Sequence, residues 1–282
     1  MGGVNPPVNQ GARPVSDAPQ RVAAIICAHN AGPDIASTVR SCRAIPGVDL
    51  LVVVDDGSDD DTGNNARLAG AVVVRHSVPR GRASAMETGV KVAAMRDRAD
   101  WPARLLLFLS ADLGESAVEA SALVEAVVTH QADCAIAVPP AVNPTIGHSL
   151  AENMARTGIR RATGWEPQGP LSEQRCLSRE VLNAVMPFAS GYGLEPAMTI
   201  DLLVAGFTVV EVPCAFHHLG SDHTIGELNR NARYADAWWA IQHRRLRRLR
   251  LSAEVRRGAG RAQRAGRPYP LAAPTPPAPP AL

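Results

Sequence analysis

The sequence predicts an α/β fold, a mostly parallel sheet with helices on both faces. Three observations carry that prediction. Apolar runs such as Leu50–Val54 and Leu105–Leu109 show no alternation, as expected of strands buried on both sides in a parallel sheet. Segments of helical length separate the runs, at the spacing of right-handed crossovers. The strands of the first half end in polar groups, Asn30, Asp55-Asp56 and Asp112, and such ends border the crevice where open α/β sheets bind ligands.

Residues 1–20 are rich in Gly, Pro and Asn and are expected to be disordered. Val22–Cys27 is the first strand, and Pro33 opens a helix to Arg43, since proline is tolerated in a first turn. Leu50–Val54 is the second strand, closed by Asp55-Asp56-Gly57-Ser58. Asp60 or Thr62 caps the following helix, which Gly70 ends. Ala71–Val74 is a short third strand, and Arg80-Gly81-Arg82 leads into a helix over Ala83–Arg96. Leu105–Leu109 is the fourth strand, Ser116–His130 an amphipathic helix and Cys134–Val138 the fifth strand. The second half is less regular. Helices are expected over His148–Thr163, from a Ser178 cap to Met186, over Glu195–Val204 and over Ile225–Arg250. A loop and short strand cover Gly169–Leu177, and a strand covers Thr208–Val212. A single domain is therefore expected over residues 21–250, split near residue 140, with a basic, Pro-rich tail at 251–282.

Composition narrows the function classes. The chain has 282 residues, enough for a sizeable core, and 46% of them are apolar. Its net charge of +2 gives no global pull toward nucleic acid. Five scattered cysteines, an odd number without knuckle spacing, fit neither a disulfide framework nor a zinc site. The N-terminus has no apolar signal core, and no apolar run approaches the ~20 residues that cross a bilayer. A cytoplasmic protein is expected. The basic run Arg244–Arg250, preceded by Trp238-Trp239, reads either as a solvated helix face or as an interfacial helix against anionic lipid.

The strand-end groups suit a nucleotide diphosphate. Carboxylates accept from a base and ribose, glycine beside a cation at a helix start suits phosphate, and Asp112 can bind a hard divalent ion. Cys27-Ala28-His29-Asn30, Val54-Asp55-Asp56-Gly57-Ser58 with Asp60 and Thr62, and Gly81-Arg82-Ala83-Ser84-Ala85 resemble the nucleotide-binding motifs of family 2 glycosyltransferases. Ser110-Ala111-Asp112 sits where that family carries its metal-binding Asp-X-Asp. Gly191-Tyr192-Gly193-Leu194-Glu195, Thr199-Ile200-Asp201 and His218 are similar to the C-terminal part of glucosyl-3-phosphoglycerate synthases and their bacterial relatives.

The resemblance implies the GT-A fold, with a nucleotide half followed by an acceptor half, and sugar transfer from a nucleotide-diphosphate sugar. It implies donor contacts at Ala28, Asn30, Asp55, Asp56, Gly81, Arg82, Ala111 and Asp112. A divalent metal, Mn²⁺ or Mg²⁺, would rest on Asp112 and His218. Glu195 would act as catalytic carboxylate, and Ser172, Glu173 and Tyr192 would meet the acceptor. Three residues depart from the pattern: Ala31 replaces an acid, Ser110 replaces the first acid of Asp-X-Asp, and Pro170 replaces the arginine that holds phosphoglycerate. Phosphoglycerate is therefore not the expected acceptor, because a lost bidentate cation is a large change for a dianion. A lipid-linked acceptor, peripheral contact with an anionic membrane and a homodimer are the remaining partner expectations. A catalytically degenerate nucleotide-binding scaffold and a nucleotidylyltransferase are the alternative readings. The second lacks the cationic loop it would need after the first strand.

Overall fold

The computed structural model describes residues 19–140, 150–219 and 236–244. Seven strands share one sheet in the order β3-β2-β1-β4-β6-β5-β7. They are β1 (Val22–Ala28), β2 (Val48–Asp55), β3 (Val72–Arg75), β4 (Leu105–Ser110), β5 (Cys134–Val138), β6 (Arg175–Leu177) and β7 (Val209–Pro213). The first four run parallel, and so do β5 and β7. The short β6 is antiparallel to both β4 and β5 and separates them. It pairs Leu106 with Leu177 and Phe108 with Arg175. The uninterrupted apolar runs have the predicted cause: Ile25 and Ile26 are both fully buried, as are Val52, Val53, Leu106 and Leu107.

The helices are α1 (Ile35–Cys42), α2 (Thr62–Leu68), α3 (Arg82–Ala94), α4 (Ser121–Val128), α5 (Leu150–Thr163), α6 (Arg179–Val185) and α7 (Leu194–Val204). Ile35 and Val39 of α1 and Leu123 and Val127 of α4 pack on one face of the sheet with Ala24 and Ile26. Met86 and Val90 of α3, Leu182 of α6 and Met198 and Leu202 of α7 cover the other face with Ile25 and Phe108. A third cluster joins Ile159 of α5, Ile200 of α7 and Ile241, so the helical segment 236–244 lies outside α7.

Two elements differ from their expected form. The helix expected over Ser116–His130 begins as a 3₁₀ segment, Gly114–Ala120; Gly114 stands at φ +54°, where an added Cβ would run into Leu219. The expected helix over Ile225–Arg250 is described only at 236–244. Both termini, the His148 start of α5 and residues 220–235 lie outside the described residues. Ser178 caps α6 as expected, accepting the Val181 N–H. Cys42, Cys134, Cys176 and Cys214 are buried and all five thiols are free, with burial pushing Cys134 up to about 12. Among the described residues no helix is long and apolar enough to cross a membrane.

Candidate functional site

The C-terminal ends of β1, β2 and β4 lie side by side, and the polar groups there chiefly hold one another. Asp55 is completely buried. It accepts the Ser58 N–H at 2.9 Å and an Arg75 N–H at 2.9 Å, so its carboxylate shapes the turn after β2. Asn30 takes the left-handed conformation at φ 52°, donates its N–H to Ser58 and accepts the Asp59 N–H. Asp60 accepts from the N–H groups of Gly32 and Thr62. The Ala28 and Ala111 carbonyls are likewise engaged, by the Asp56 N–H and the Thr38 hydroxyl.

Asp56 links this turn to the next helix. Its carboxylate accepts the Arg80 N–H at 2.9 Å and the Gly81 N–H at 2.7 Å, and lies 2.6 Å from His76 Nδ1. Partial burial pushes its pKa up, but the Arg80 N–H, His76 and the Gly81 N–H outweigh that and hold the carboxyl below its ordinary range. His76 Nε2 lies 2.9 Å from the Thr88 hydroxyl, which ties the same loop to α3. Gly81 precedes α3 at φ 83°, a conformation that suits glycine.

Arg82, the first residue of α3, meets two acids. It pairs closely with the Glu173 carboxylate and lies 3.4 Å from Glu195. It also donates to the Glu173 carbonyl at 3.1 Å. Ser110 donates its hydroxyl to Glu173 at 2.9 Å and accepts from the Gln174 amide at 2.9 Å. Glu195 is buried at the start of α7. Burial raises its pKa; Arg82 opposes the rise, Glu173 adds to it and Arg175 opposes it. Arg175 itself is fully buried; it donates to the Ser172 carbonyl at 2.9 Å and to Thr199 at 3.0 Å. Its Nη2 has no hydrogen-bond partner among the described residues. Thr199 in turn donates to the Glu195 carbonyl, so one guanidinium fixes both the loop at Ser172 and the turn that carries Glu195.

At the end of β4, Asp112 faces His218, whose Nδ1 lies 3.0 Å from each carboxylate oxygen. The chain zips His218 into place: the Leu219 N–H donates to the Asp112 carbonyl and the His217 N–H donates to Ser116. Thr38 pins the turn from α1 by accepting the Gly114 N–H at 2.8 Å. The hydrogen bond to Asp112, against partial desolvation, raises the His218 pKa, and Glu173 adds to the rise. A carboxylate and an imidazole in contact are a donor set that suits Mn²⁺, so these two residues fit the expected ion. Among the described residues no three His, Cys, Asp or Glu side chains gather closely enough to cage a metal.

The structure thus brings Glu173, Arg82, Ser110 and Glu195 into one network, and Asp112 with His218 into a second beside it. Tyr192 lies apart from these contacts on an exposed turn, its N–H directed at Asp236. Thr38, Arg75, His76, Gln174 and Arg175 were not singled out from the sequence. Arg75-His76 directly after an apolar strand was a usable signal. Thr38, Gln174 and Arg175 gain their roles only through sheet order and helix docking.

The comparisons with known proteins agree with this architecture. The model of the family "Glycosyl transferase family 2" matches residues 23–188. The succinoglycan biosynthesis protein ExoU of Rhizobium meliloti is 33% identical over 159 residues, which are 51% of this chain and 46% of that protein. The chain spans less than half the length of the curated relatives it matches. Glucosyl-3-phosphoglycerate synthase from Mycobacterium tuberculosis, in complex with phosphoglyceric acid, superposes with a TM-score of 0.61 at 22% identity, covering 80% of each chain. A structure of the same enzyme with Mn²⁺, uridine diphosphate and glucosyl-3-phosphoglycerate gives 0.60 over the same shares. The likeness to these structures shows the GT-A fold. With the family model covering more than half of the residues, the chain belongs to glycosyl transferase family 2.

Proposed function

We propose that the protein transfers a sugar from a nucleotide-diphosphate sugar to a hydroxyl-bearing acceptor, with a divalent cation held by Asp112 and His218. The observation that carries this reading is the Asp112–His218 contact at the end of β4, two residues beyond Ser110, whose partner Glu173 pairs with Arg82. The donor would lie over residues 28–30, 56–58, 80–82 and 111–112. The cation, Mn²⁺ or Mg²⁺, supplies charge neutralisation for the leaving diphosphate. Arg82 is the cation at the α3 start, and a diphosphate would compete with Glu173 and Glu195 for it. Glu195, its pKa raised by burial, is suited to take or orient the proton of the acceptor hydroxyl, since a raised carboxylate is a stronger base. Glu173, joined to Ser110 at the end of β4 and to Arg82, would meet the acceptor together with Ser172 and Tyr192.

The test is a panel of nucleotide-sugars, followed by hydrolysis and by calorimetry with and without Mn²⁺ or Mg²⁺. Metal-dependent binding that Asp112→Asn abolishes without lowering the melting temperature supports the proposal. Failure to bind or turn over any nucleotide-sugar removes it. Nucleotide binding without metal dependence or transfer favours the degenerate scaffold.

The same reading extends to the acceptor and to location. Segment 236–244 buries Ala237, Ala240 and Ile241 and leaves Trp238 and Trp239 at 45% and 67% exposure. The next residues are strongly basic. Positions 244–282 hold ten arginines and one glutamate, so a chain of 29 basic and 27 acidic residues keeps 19 and 26 in its first 243 positions. Exposed tryptophans beside concentrated arginine suit an anionic bilayer surface on the cytoplasmic side, and hence a lipid-linked acceptor. Arg244 stands outside that surface, since Asp201 holds it at 2.8 Å.

A further inference from the structure

We propose that Glu173 supplies the negative charge that Ser110 does not, so that the divalent-cation site of this chain is formed by Asp112 and His218 with Glu173 acting beside them through Ser110. This inference rests on the metal-dependent reading above. Its basis is the position of β6. The antiparallel register pairs 106 with 177, 107 with 176 and 108 with 175. The same run continues toward 110 beside 173, which places an acid next to the serine that stands at the first position of the Asp-X-Asp segment.

The hydrogen bonds fix the direction of that contact. A serine hydroxyl has one proton to donate. Gln174 donates to Ser110, and Ser110 donates its own proton to Glu173. The hydroxyl therefore holds the carboxylate at the strand end. The Glu173 side chain is half exposed, so its charge is open to solvent. It acts as charge at one remove, because no three-residue cage is present among the described residues. Charges next to the inner ligands still govern affinity, and losing such outer partners typically costs ~10–100-fold in metal binding.

Arg82 couples this charge to the donor. Without a donor, Arg82 is shared by Glu173 and Glu195, with Arg175 behind Glu195. A diphosphate competes with Glu173 for the guanidinium. The displaced carboxylate then has the divalent ion as its nearest compensation. Donor and metal should bind cooperatively, with Arg82 as the group exchanged.

The consequence is a pair of effects of opposite sign, measurable by calorimetry with uridine diphosphate and Mn²⁺ and by the Mn²⁺ electron-spin resonance signal. Glu173→Gln should weaken Mn²⁺ binding in the presence of uridine diphosphate by ~10-fold or more. The same variant should bind uridine diphosphate without metal at least as tightly as the parent, because a competitor for Arg82 has gone. Ser110→Asp in the Glu173→Gln background should restore Mn²⁺ binding. Glu173→Asp, which keeps the charge, should lie between. Parallel loss of both affinities would reduce Glu173 to a structural brace and overturn the inference, as would unchanged Mn²⁺ binding in Glu173→Gln. A parent protein that binds neither these probes nor any member of the nucleotide-sugar panel would remove the transferase reading itself.

Discussion

Asp56→Asn should destabilise the protein in the absence of any ligand. The carboxylate accepts three hydrogen bonds: the Arg80 N–H and His76 on Oδ1, and the Gly81 N–H on Oδ2. An asparagine keeps one acceptor oxygen. With that oxygen in the place of Oδ1, the new amide nitrogen faces the Gly81 N–H, donor against donor. A hydrogen bond to a charged group contributes ~1.5–3 kcal/mol, and leaving a buried donor unpaired costs ~1–3 kcal/mol. One bond lost and two weakened amount to about 3 kcal/mol. For a domain of this size that lowers the melting temperature by ~6–12 °C. Acidity supplies a second reading of the same contact. The folded pKa of Asp56 is depressed, so its contribution is complete above the unfolded value of ~3.9 and is lost as pH falls through the folded value. The gap between parent and variant should therefore close in acid. The assay is thermal denaturation of the ligand-free proteins from pH 7 to pH 3. A shift under ~2 °C at pH 7 would refute the reasoning and leave Asp56 as a ligand contact alone.

Two further outcomes are expected. Gly89 faces Ile25 so closely that an added Cβ would meet its Cγ2 at 2.4 Å, so Gly89→Ala should press α3 off the sheet. Overpacking of that kind costs ~1–3 kcal/mol, seen as a lower melting temperature and, because α3 starts at Arg82, as weaker uridine diphosphate binding; an unchanged melt would mean that α3 slides freely on β1. The basic end should sediment with anionic but not with neutral vesicles at low salt, and salt should release it. Glutamate at Arg245, Arg247 and Arg248 should abolish that binding. Equal recovery in both supernatants, or preference for RNA over lipid, would rule out a membrane surface.

The first half of the fold was legible because its signals are local. Strands over Val22–Cys27 and Leu105–Leu109 announce themselves by unbroken apolar runs, and each is buried on both faces in the structure. The helix from Ser178 was legible from its cap. The insertion of β6 between β4 and β5 was not, because three residues carry no periodicity and their partners lie about 70 positions upstream and 40 upstream. Arg175 shows the same limit. A charged residue inside a short strand reads as a surface residue, yet it is fully buried because Ser172 and Thr199, from a loop and a helix, converge on it. The grouping of Asp112 with His218, by contrast, was reached through family resemblance across 106 positions, and the structure puts the two in contact.

The strand-end acids also divide by task. Asp55 and Asp56 sit directly on the end of β2, which suggested that they face a ligand. In the structure their carboxylates are consumed by Ser58, Arg75, His76, Arg80 and Gly81. Asp55, fully buried against Arg75, orders the loop and offers little surface to a ligand. The more accessible acids lie on the β4 side, at Asp112 and the half-exposed Glu173, with the buried Glu195 behind Arg82. Two of those three acids come from the second half of the chain, from the loop before β6 and the start of α7. On the proposed reading, the first half builds the floor of the site, and Glu173 and Glu195 of the second half would supply the charge that tells one donor or acceptor from another. Substitutions in the Asp55–Ser58 turn should consequently act first on stability, and substitutions at Glu173 and Glu195 first on binding and turnover.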